Sequence, residues 1–302
     1  MVATSFKLNN GLEMPAVGLG TWQSKAGEVQ TAVSYALQNG YKLIDGAYCY
    51  GNEGEVGEGL KEAFAAGVKR EDVFVVTKVW ATYSTRVAES LGKSLKSLGL
   101  EWPDLLPWTG NHDKFPTLPD GRRDVIRDYN HVHGWGQMEA ALQTGKTRAI
   151  GVSNQYSKGY LQQLLAHAAV VPAVNQIENH PSLPQQEIVD FCKEKGIHVM
   201  AYSPLGSSGS PLMGAEPVVK IAEKRGVSAG TVLLSYHVNR GSTVLAKSVT
   251  PARIKANLEI IGLDDEDTKL LNDYSDDLAT KGKLKRYVYP PFGIDFGFPD
   301  KS

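Results

Sequence analysis

Cysteine is scarce in this chain, with only Cys49 and Cys192 among 302 residues. Two thiols cannot build a disulfide framework, so a packed core must hold the fold, and a reducing compartment is expected. Charge of one sign is also lacking. Lys and Arg total 32 against 33 Asp and Glu, a formal net charge of −1. That balance argues against nucleic acid or an anionic membrane as the main partner, because both need a concentrated basic surface. No apolar run reaches bilayer length and Met1 to Gly11 holds no apolar signal core, so a cytosolic protein with no membrane partner is expected. No Pro/Ser-rich linker or low-complexity tract divides the chain, which reads as one domain over 1–302. No cluster of His, Cys and Asp has metal-ligand spacing, and no Ser–His–Asp pattern stands out. The glycine fingerprint of a doubly wound dinucleotide fold is missing too. Gly18-Leu19-Gly20 runs into Thr21-Trp22-Gln23 rather than a third glycine and a helix, and Gly51, Gly54 and Gly57 have the wrong spacing.

What is present suits a large soluble core: 42% hydrophobic and 22% charged residues. Asn9-Asn10-Gly11, between Phe6–Leu8 and Glu13–Met14, supplies the positive φ angles of a tight hairpin turn. Residues 1–15 therefore read as a hairpin lid on one end of the main body. Short strand-like runs then alternate with helical patterns. The runs are Val17–Gly20, Leu43–Asp45, Val73–Lys78, Leu105–Leu106 (a poor one), Ala149–Ser153, Ala173–Gln176, His198–Tyr202 and Thr243–Ala246. Helical patterns include Val29–Gln38, Val56–Ala65, Arg86–Leu98, Tyr160–Ala168, Gln186–Lys195 and Pro217–Lys224. Eight strand–helix alternations predict an α/β fold, a single (β/α)8 barrel of the TIM type.

Functional groups in such a barrel gather at the C-terminal ends of the strands. Those ends read Gly20-Thr21-Trp22, Asp45 with Tyr50, Lys78-Val79-Trp80, Ser153-Asn154, Gln176 with Asn179-His180, Tyr202-Ser203 and Lys247-Ser248. Asp45 and Lys78 each close an apolar run, so both are drawn to the barrel mouth, where a carboxylate and an ammonium need each other. A tyrosine beside that ammonium would have a lowered pKa and could give a proton to a carbonyl oxygen. A structural Asp–Lys pair with Tyr50 as a packed loop aromatic is the competing reading. Trp22 and Trp80 read equally well as core aromatics or as pocket walls, and His180, just before Pro181, as a structural histidine.

The wording and order of these segments resemble the aldo-keto reductases. The match lies in Gly-Leu-Gly-Thr-Trp at 18–22, Ile-Asp-Gly-Ala-Tyr-Cys-Tyr-Gly-Asn-Glu at 44–53, Thr-Lys-Val-Trp at 77–80 and Gly-Lys-Thr-Arg-Ala-Ile-Gly-Val-Ser-Asn at 145–154. It continues in Val-Asn-Gln-Ile-Glu-Asn-His-Pro at 174–181, Ala-Tyr-Ser-Pro-Leu-Gly at 201–206 and Lys-Ser-Val-Thr-Pro-Ala-Arg-Ile at 247–254. The stretch from Gly110 to Gly121 and the tail from Lys285 are similar to the fungal branch holding glycerol dehydrogenases and glyceraldehyde reductases. The resemblance implies NADP(H), with Tyr50 as general acid tuned by Lys78 and Asp45. Ser153, Asn154 and Gln176 match the positions that hold the carboxamide, and Tyr202, with Ser203 after it, the aromatic that stacks on the nicotinamide. Thr21 and Trp22 fall beside the cofactor, while Leu205 and Ser207 fall where a loop closes over the pyrophosphate. Lys247, Ser248 and Arg253, with Val249 and Thr250 between them, match the clamp on the adenosine 2′-phosphate. Asn257 matches an adenine contact, but the neighbouring position, often Glu in relatives, is Ala256. The implied substrates are small carbonyl or alcohol compounds, such as glyceraldehyde, dihydroxyacetone or glycerol, and the implied state is a monomer.

The pattern breaks at the fourth barrel strand. The family expects an apolar strand ending in His-Trp-Pro, whereas this chain reads Leu100-Glu-Trp-Pro-Asp-Leu-Leu-Pro-Trp-Thr-Gly-Asn-His112. Pro107 removes a ladder donor and is expected to spoil an internal strand. One reading is a working reductase in which His112 or Trp108 approaches the oxyanion site, His112 joining Trp22, Tyr50 and Trp80 in the substrate pocket. Another is an NADP(H)-binding protein of low turnover, acting as a sensor or partner-binding subunit. A third is a misplaced splice boundary, since the match resumes intact at Gly110. Residues 285–302, rich in aromatics, glycine and proline, are expected to form a substrate loop over the mouth.

Overall fold

The structure, a computed structural model of the chain, describes residues 2–104, 106–108, 119–120, 130–154 and 157–289. Strands β1 (Ser5–Lys7) and β2 (Glu13–Pro15) pair as an antiparallel hairpin, with Phe6 opposite Met14. Next along the chain come β3 (Val17–Gly20), α1 (Glu28–Gln38), β4 (Leu43–Asp45), α2 (Glu53–Ala65), β5 (Phe74–Val76), α3 (Val87–Leu98), β6 (Leu106–Trp108) and α4 (His131–Gln143). The second half comprises β7 (Ile150–Ser153), α5 (Lys158–Leu165), β8 (Val174–Glu178), α6 (Gln186–Glu194), β9 (His198–Tyr202), α7 (Glu216–Arg225), α8 (Ala229–Asn239), β10 (Thr243–Lys247), α9 (Pro251–Ala256) and α10 (Asp265–Thr280). The eight strands β3 to β10 form one parallel sheet in the order β5-β4-β3-β10-β9-β8-β7-β6. The first of them therefore pairs with the last, Val17 opposite Val244 and Gly20 opposite Lys247. This is the expected (β/α)8 barrel.

Side-chain alternation along the strands explains both the core and the mouth. Leu43, Phe74, Val76, Ala149, Val174, Met200 and Leu245 share one apolar cluster inside the barrel. Their neighbours Ile44 and Val75, or Val152, Ile177 and Val199, belong instead to clusters beneath the helices. Gly18 has to be glycine here, because a Cβ would come within 2.6 Å of Leu43 and 2.8 Å of Leu245. Two residues beyond the interior cluster, in the same phase, stand Asp45, Lys78, Gln176, Tyr202 and Lys247. The groups of the mouth are thus the next inward positions above the apolar filling.

The hairpin closes the opposite end. Leu8 and Met14 are buried against the interior cluster. Asn9 Nδ2 donates to the carbonyl of Pro172 (3.0 Å) and Asn10 Nδ2 to that of Arg148 (3.1 Å), both just ahead of barrel strands. The lid is a floor, remote from the strand C-termini.

One seam is closed by a side chain. Among the described residues β5 and β6 share no ladder. Instead Asp104 N–H donates to the Val75 carbonyl (2.7 Å), and the Val75 N–H donates to the Asp104 carboxylate (2.7 Å). Asp104 is fully buried and takes Arg70 (3.0 Å) and Arg148 (2.8 Å) as counter-ions. The expectation that Pro107 would spoil its strand needs correction. The strand forms over Leu106–Trp108, with Pro107 opposite Gly151, but its only ladder partner among the described residues is β7. On that terminal strand the missing donor is tolerated. The described ladder runs over 106–108, against the predicted 105–106, and Leu105 lies outside the described residues.

Candidate active site

Asp45, at the end of β4, is the hub of the mouth. Its Oδ1 accepts from Lys78 Nζ at 2.7 Å and from Gln176 Nε2 at 2.8 Å. All three side chains are buried, so the charge pair is screened little and its geometry is fixed. Lys78 donates again to the Gly46 carbonyl (2.8 Å) and reaches the Tyr50 hydroxyl at 3.5 Å. Its ammonium also lies 5.2 Å from the centre of the Tyr50 ring. Tyr50 closes a short 3-10 turn, Tyr48–Tyr50, and remains partly open to solvent.

The expectation that the ammonium lowers the Tyr50 pKa is not met. Burial first, then the Asp45 carboxylate and Cys49, hold the phenol well above its ordinary value. Lys78 is already neutralised by Asp45, so little of its charge reaches the hydroxyl. Tyr50 is therefore a protonated donor throughout the neutral range, as a group giving a proton to a carbonyl oxygen must be.

Beside this trio the strand ends form a cradle of amides and hydroxyls. Ser153 Oγ donates to the Gln176 carbonyl (3.1 Å), so it offers only lone pairs to a ligand. Asn154 takes φ 62°, and its Oδ1 accepts from the Tyr202 hydroxyl at 3.0 Å, which fixes the amide. Gln176 uses its amide nitrogen on Asp45, which leaves Oε1 as an acceptor. Thr21 is buried with its Oγ1 bonded to the Asp45 carbonyl (2.9 Å), and Trp22 is exposed beside it. Gln23, Asn154, Ser203, Ser207 and Ser210 all take left-handed φ values between 47° and 64°. Each follows a barrel strand or lies in the loop after β9. Strain of this kind, costing about 1–3 kcal/mol per residue, concentrates where backbone must approach a ligand.

The remaining predicted positions lie in the loops after β9 and β10. Leu205 and Ser207 sit in the turn after β9, whose Gly206 has φ 86°. At the end of β10, Lys247 is exposed; Ser248 Oγ accepts from Thr250 N–H (3.1 Å), and Arg253 donates to Thr250 Oγ1 (2.7 Å). Neither Lys247 nor Arg253 has a carboxylate partner among the described residues, so this pair of cations with two hydroxyls is a donor set suited to a phosphate monoester. Val249 packs on the helical cluster of α1 and α2, and Asn257 caps α9 with its N–H on the Arg253 carbonyl (2.9 Å). Trp80 is half-buried after β5. His112 and residues 290–302 lie outside the described residues.

Sequence reasoning missed three contributors. Asn52 Nδ2 donates to the Thr21 carbonyl (2.9 Å) and ties the Tyr50 turn to β3. The Gly46 carbonyl shares Lys78. Glu178, two residues beyond Gln176, accepts from His180 Nε2 (3.0 Å); a charged residue in inward phase on β8 was the available signal.

An eight-stranded barrel whose mouth sets a tyrosine beside a buried lysine–carboxylate pair, with Lys247 and Arg253 after its last strand, has the frame that a nucleotide-dependent oxidoreductase of carbonyl compounds requires. The Aldo/keto reductase family profile matches residues 16–276, and the chain belongs to that family. It uses NADP(H), the nucleotide that one of its relatives carries in its name. A D-galacturonate reductase of Hypocrea jecorina is 83% identical over 310 aligned positions covering all of both chains, so it carries residues with no counterpart among these 302. Glycerol 2-dehydrogenase (NADP(+)) of Saccharomyces cerevisiae is 44% identical, with 95% of each chain covered. Among solved structures, aldose reductase from Schistosoma japonicum superposes with a TM-score of 0.85 at 34% identity, covering 95% of this chain and 94% of that one. No helix among the described residues is long and apolar enough to cross a membrane.

Proposed function

We propose that this protein reduces the aldehyde group of a hexuronate-type sugar acid with NADPH, Tyr50 delivering the proton. The observation that carries the reading is the Tyr50 phenol, held protonated 3.5 Å from a lysine that Asp45 locks in place. The substrate class is supported by the D-galacturonate reductase, similar along its whole length. The more distant glycerol dehydrogenase supports small polyols and hydroxy-aldehydes as a second class.

NADPH, when bound, supplies the hydride. Ser153, Asn154 and Gln176 would hold its carboxamide, Tyr202 would offer its ring face, and Lys247, Ser248 and Arg253 would grip the 2′-phosphate. Tyr50 donates its phenolic proton to the carbonyl oxygen as the carbon is reduced, and the alcohol leaves. The resulting phenolate accepts a hydrogen bond from Lys78 Nζ, placed 3.5 Å away, and regains a proton from water. Asp45 keeps the ammonium oriented and ties it through Gln176 to the carboxamide site. No histidine occupies residues 106–108, so Tyr50 is the oxyanion donor this reading relies on. The test compares NADPH oxidation with D-galacturonate and with DL-glyceraldehyde, alongside NADPH binding by fluorescence. A higher kcat/KM for the uronate supports the reading. Preference for glyceraldehyde moves it to the second class, and tight NADPH binding with no turnover on either aldehyde favours a binding protein.

A further inference from the structure

Glu178 is fully buried at the end of β8, beside Tyr202 in the sheet register. Its carboxylate is not part of the proton-transfer trio, and its donors come from far along the chain. The N–H of Tyr287 donates to Oε1 at 2.7 Å and the N–H of Val288 to Oε2 at 3.0 Å. His180 Nε2 adds a bond to Oε1 (3.0 Å), and the buried Arg286 guanidinium stands 3.9 Å from Oε2. Ser182 fixes the other His180 nitrogen at 3.2 Å, and its carbonyl accepts from Lys285 N–H at 2.9 Å. Burial pushes the His180 pKa down, so the ring is neutral and serves as a hydrogen-bond donor rather than a cation. Residues 285–288 are thus nailed to the end of β8 by charge-assisted bonds in a dry site, where such bonds are strongest.

The pinned segment touches the turn after β9. The Tyr287 ring packs in the cluster of Leu205 and Leu212. A Cβ on Gly206 would lie 3.1 Å from Tyr287 Cε2, so ring and backbone are already in contact. The turn itself is held by Gly206 N–H to the Ser203 carbonyl (2.9 Å) and Leu212 N–H to the Leu205 carbonyl (3.3 Å), with left-handed backbone at Ser203, Gly206, Ser207 and Ser210. A loop with that much unfavourable backbone needs an external buttress to keep one conformation.

We infer that Glu178 is a positioning residue for cofactor retention: it fastens residues 286–288 so that the Tyr287 ring braces the 203–210 turn against the bound dinucleotide. The inference rests on the reading that this turn covers the cofactor. Tyr287→Ala removes the brace while leaving the Glu178–Arg286 pair intact, which protects the fold. Tyr287→Phe keeps the ring and serves as the conservative control.

NADPH itself is the probe, followed by fluorescence in equilibrium titration and stopped flow, with hydrogen–deuterium exchange over 203–210. Tyr287→Ala is expected to raise the NADPH dissociation constant and off-rate by roughly 3- to 30-fold, the range usual for residues acting on a ligand through a neighbour. Exchange over 203–210 should quicken, and Tyr287→Phe should behave as wild type. Glu178→Gln should move the same two readouts in the same direction. NADPH must slow exchange over 203–210 in the wild type; no slowing would sink the loop reading and this inference together. Slowing in the wild type with unchanged NADPH affinity and off-rate in Tyr287→Ala would overturn the brace alone.

Discussion

Asp45 Oδ1 accepts two strong donors at once, an ammonium and an amide, and in the proposed mechanism this sharing couples the Tyr50 side of the site to the amides that would hold the carboxamide. Replacing Tyr50 by Phe removes the phenolic proton but leaves Gln176, Asn154, Lys247 and Arg253, the residues proposed to bind NADPH, in place. Turnover is expected to fall by ~10²–10⁴ with NADPH binding unchanged in fluorescence titration; an unaltered rate would dismiss Tyr50 as the donor. Because the Tyr50 pKa is raised, kcat/KM for aldehyde reduction should stay level from about pH 7 to about pH 9. A decline centred in that window would mean that the phenol ionises early, as the neighbouring ammonium acting alone would dictate. At the other end of the site, Arg253→Ala should weaken NADPH by roughly tenfold to a hundredfold, the loss of a charge-assisted bond, while leaving NADH nearly untouched. Equal loss for both nucleotides would remove Arg253 from the phosphate clamp.

Much of the element plan was legible because barrel strands announce themselves as short apolar runs, and the period of two carries Leu43 to Asp45 and Phe74 to Lys78. That periodicity places Asp45 and Lys78 at one mouth from the residues alone. Other elements carry weaker signals. Helix α8 is buried from Gly230 to Val238, so no polar face marks it. Asp104, among prolines and glutamate, reads as a loop acid, and nothing local reveals that its partners are Val75, Arg70 and Arg148. Glu178 was hidden for the same reason, its donors lying 109 and 110 residues away. At the seam, Asp104→Ala strands the Val75 N–H and leaves two arginines without their counter-charge. Both arginines are partly exposed, so the expected loss is about 2–4 kcal/mol rather than the full cost of a buried pair. Urea denaturation would register it as a lower midpoint; a midpoint within error of wild type would show that the seam is held by something else.

At the scale of the whole molecule, three histidines among the described residues are packed in neutral form. Burial lowers His180, brings His198 down to about 4, and holds His237 well below the usual value, with the Arg240 charge adding to the effect on His237. Unfolded histidines titrate near pH 6.5, so between that value and about pH 4 the unfolded chain binds more protons than the fold. Their contribution to stability is complete above about pH 6.5 and is lost as pH falls, by up to about 1.4 kcal/mol per histidine per pH unit. The melting temperature should therefore drop on acidification below about pH 6, and less steeply in His198→Gln. A melting temperature that holds level down to about pH 4.5 would contradict the neutral packing.

The pairing of β3 with β10 also has a consequence for synthesis. A ribosome makes Val17–Gly20 early and Thr243–Lys247 near the end, so the growing chain carries an open strand edge for most of its translation. That edge is a template for association with other chains until its partner emerges. A message truncated before Thr243 would release a polypeptide with seven barrel strands and no closure, a substrate for chaperones and proteases rather than a smaller enzyme.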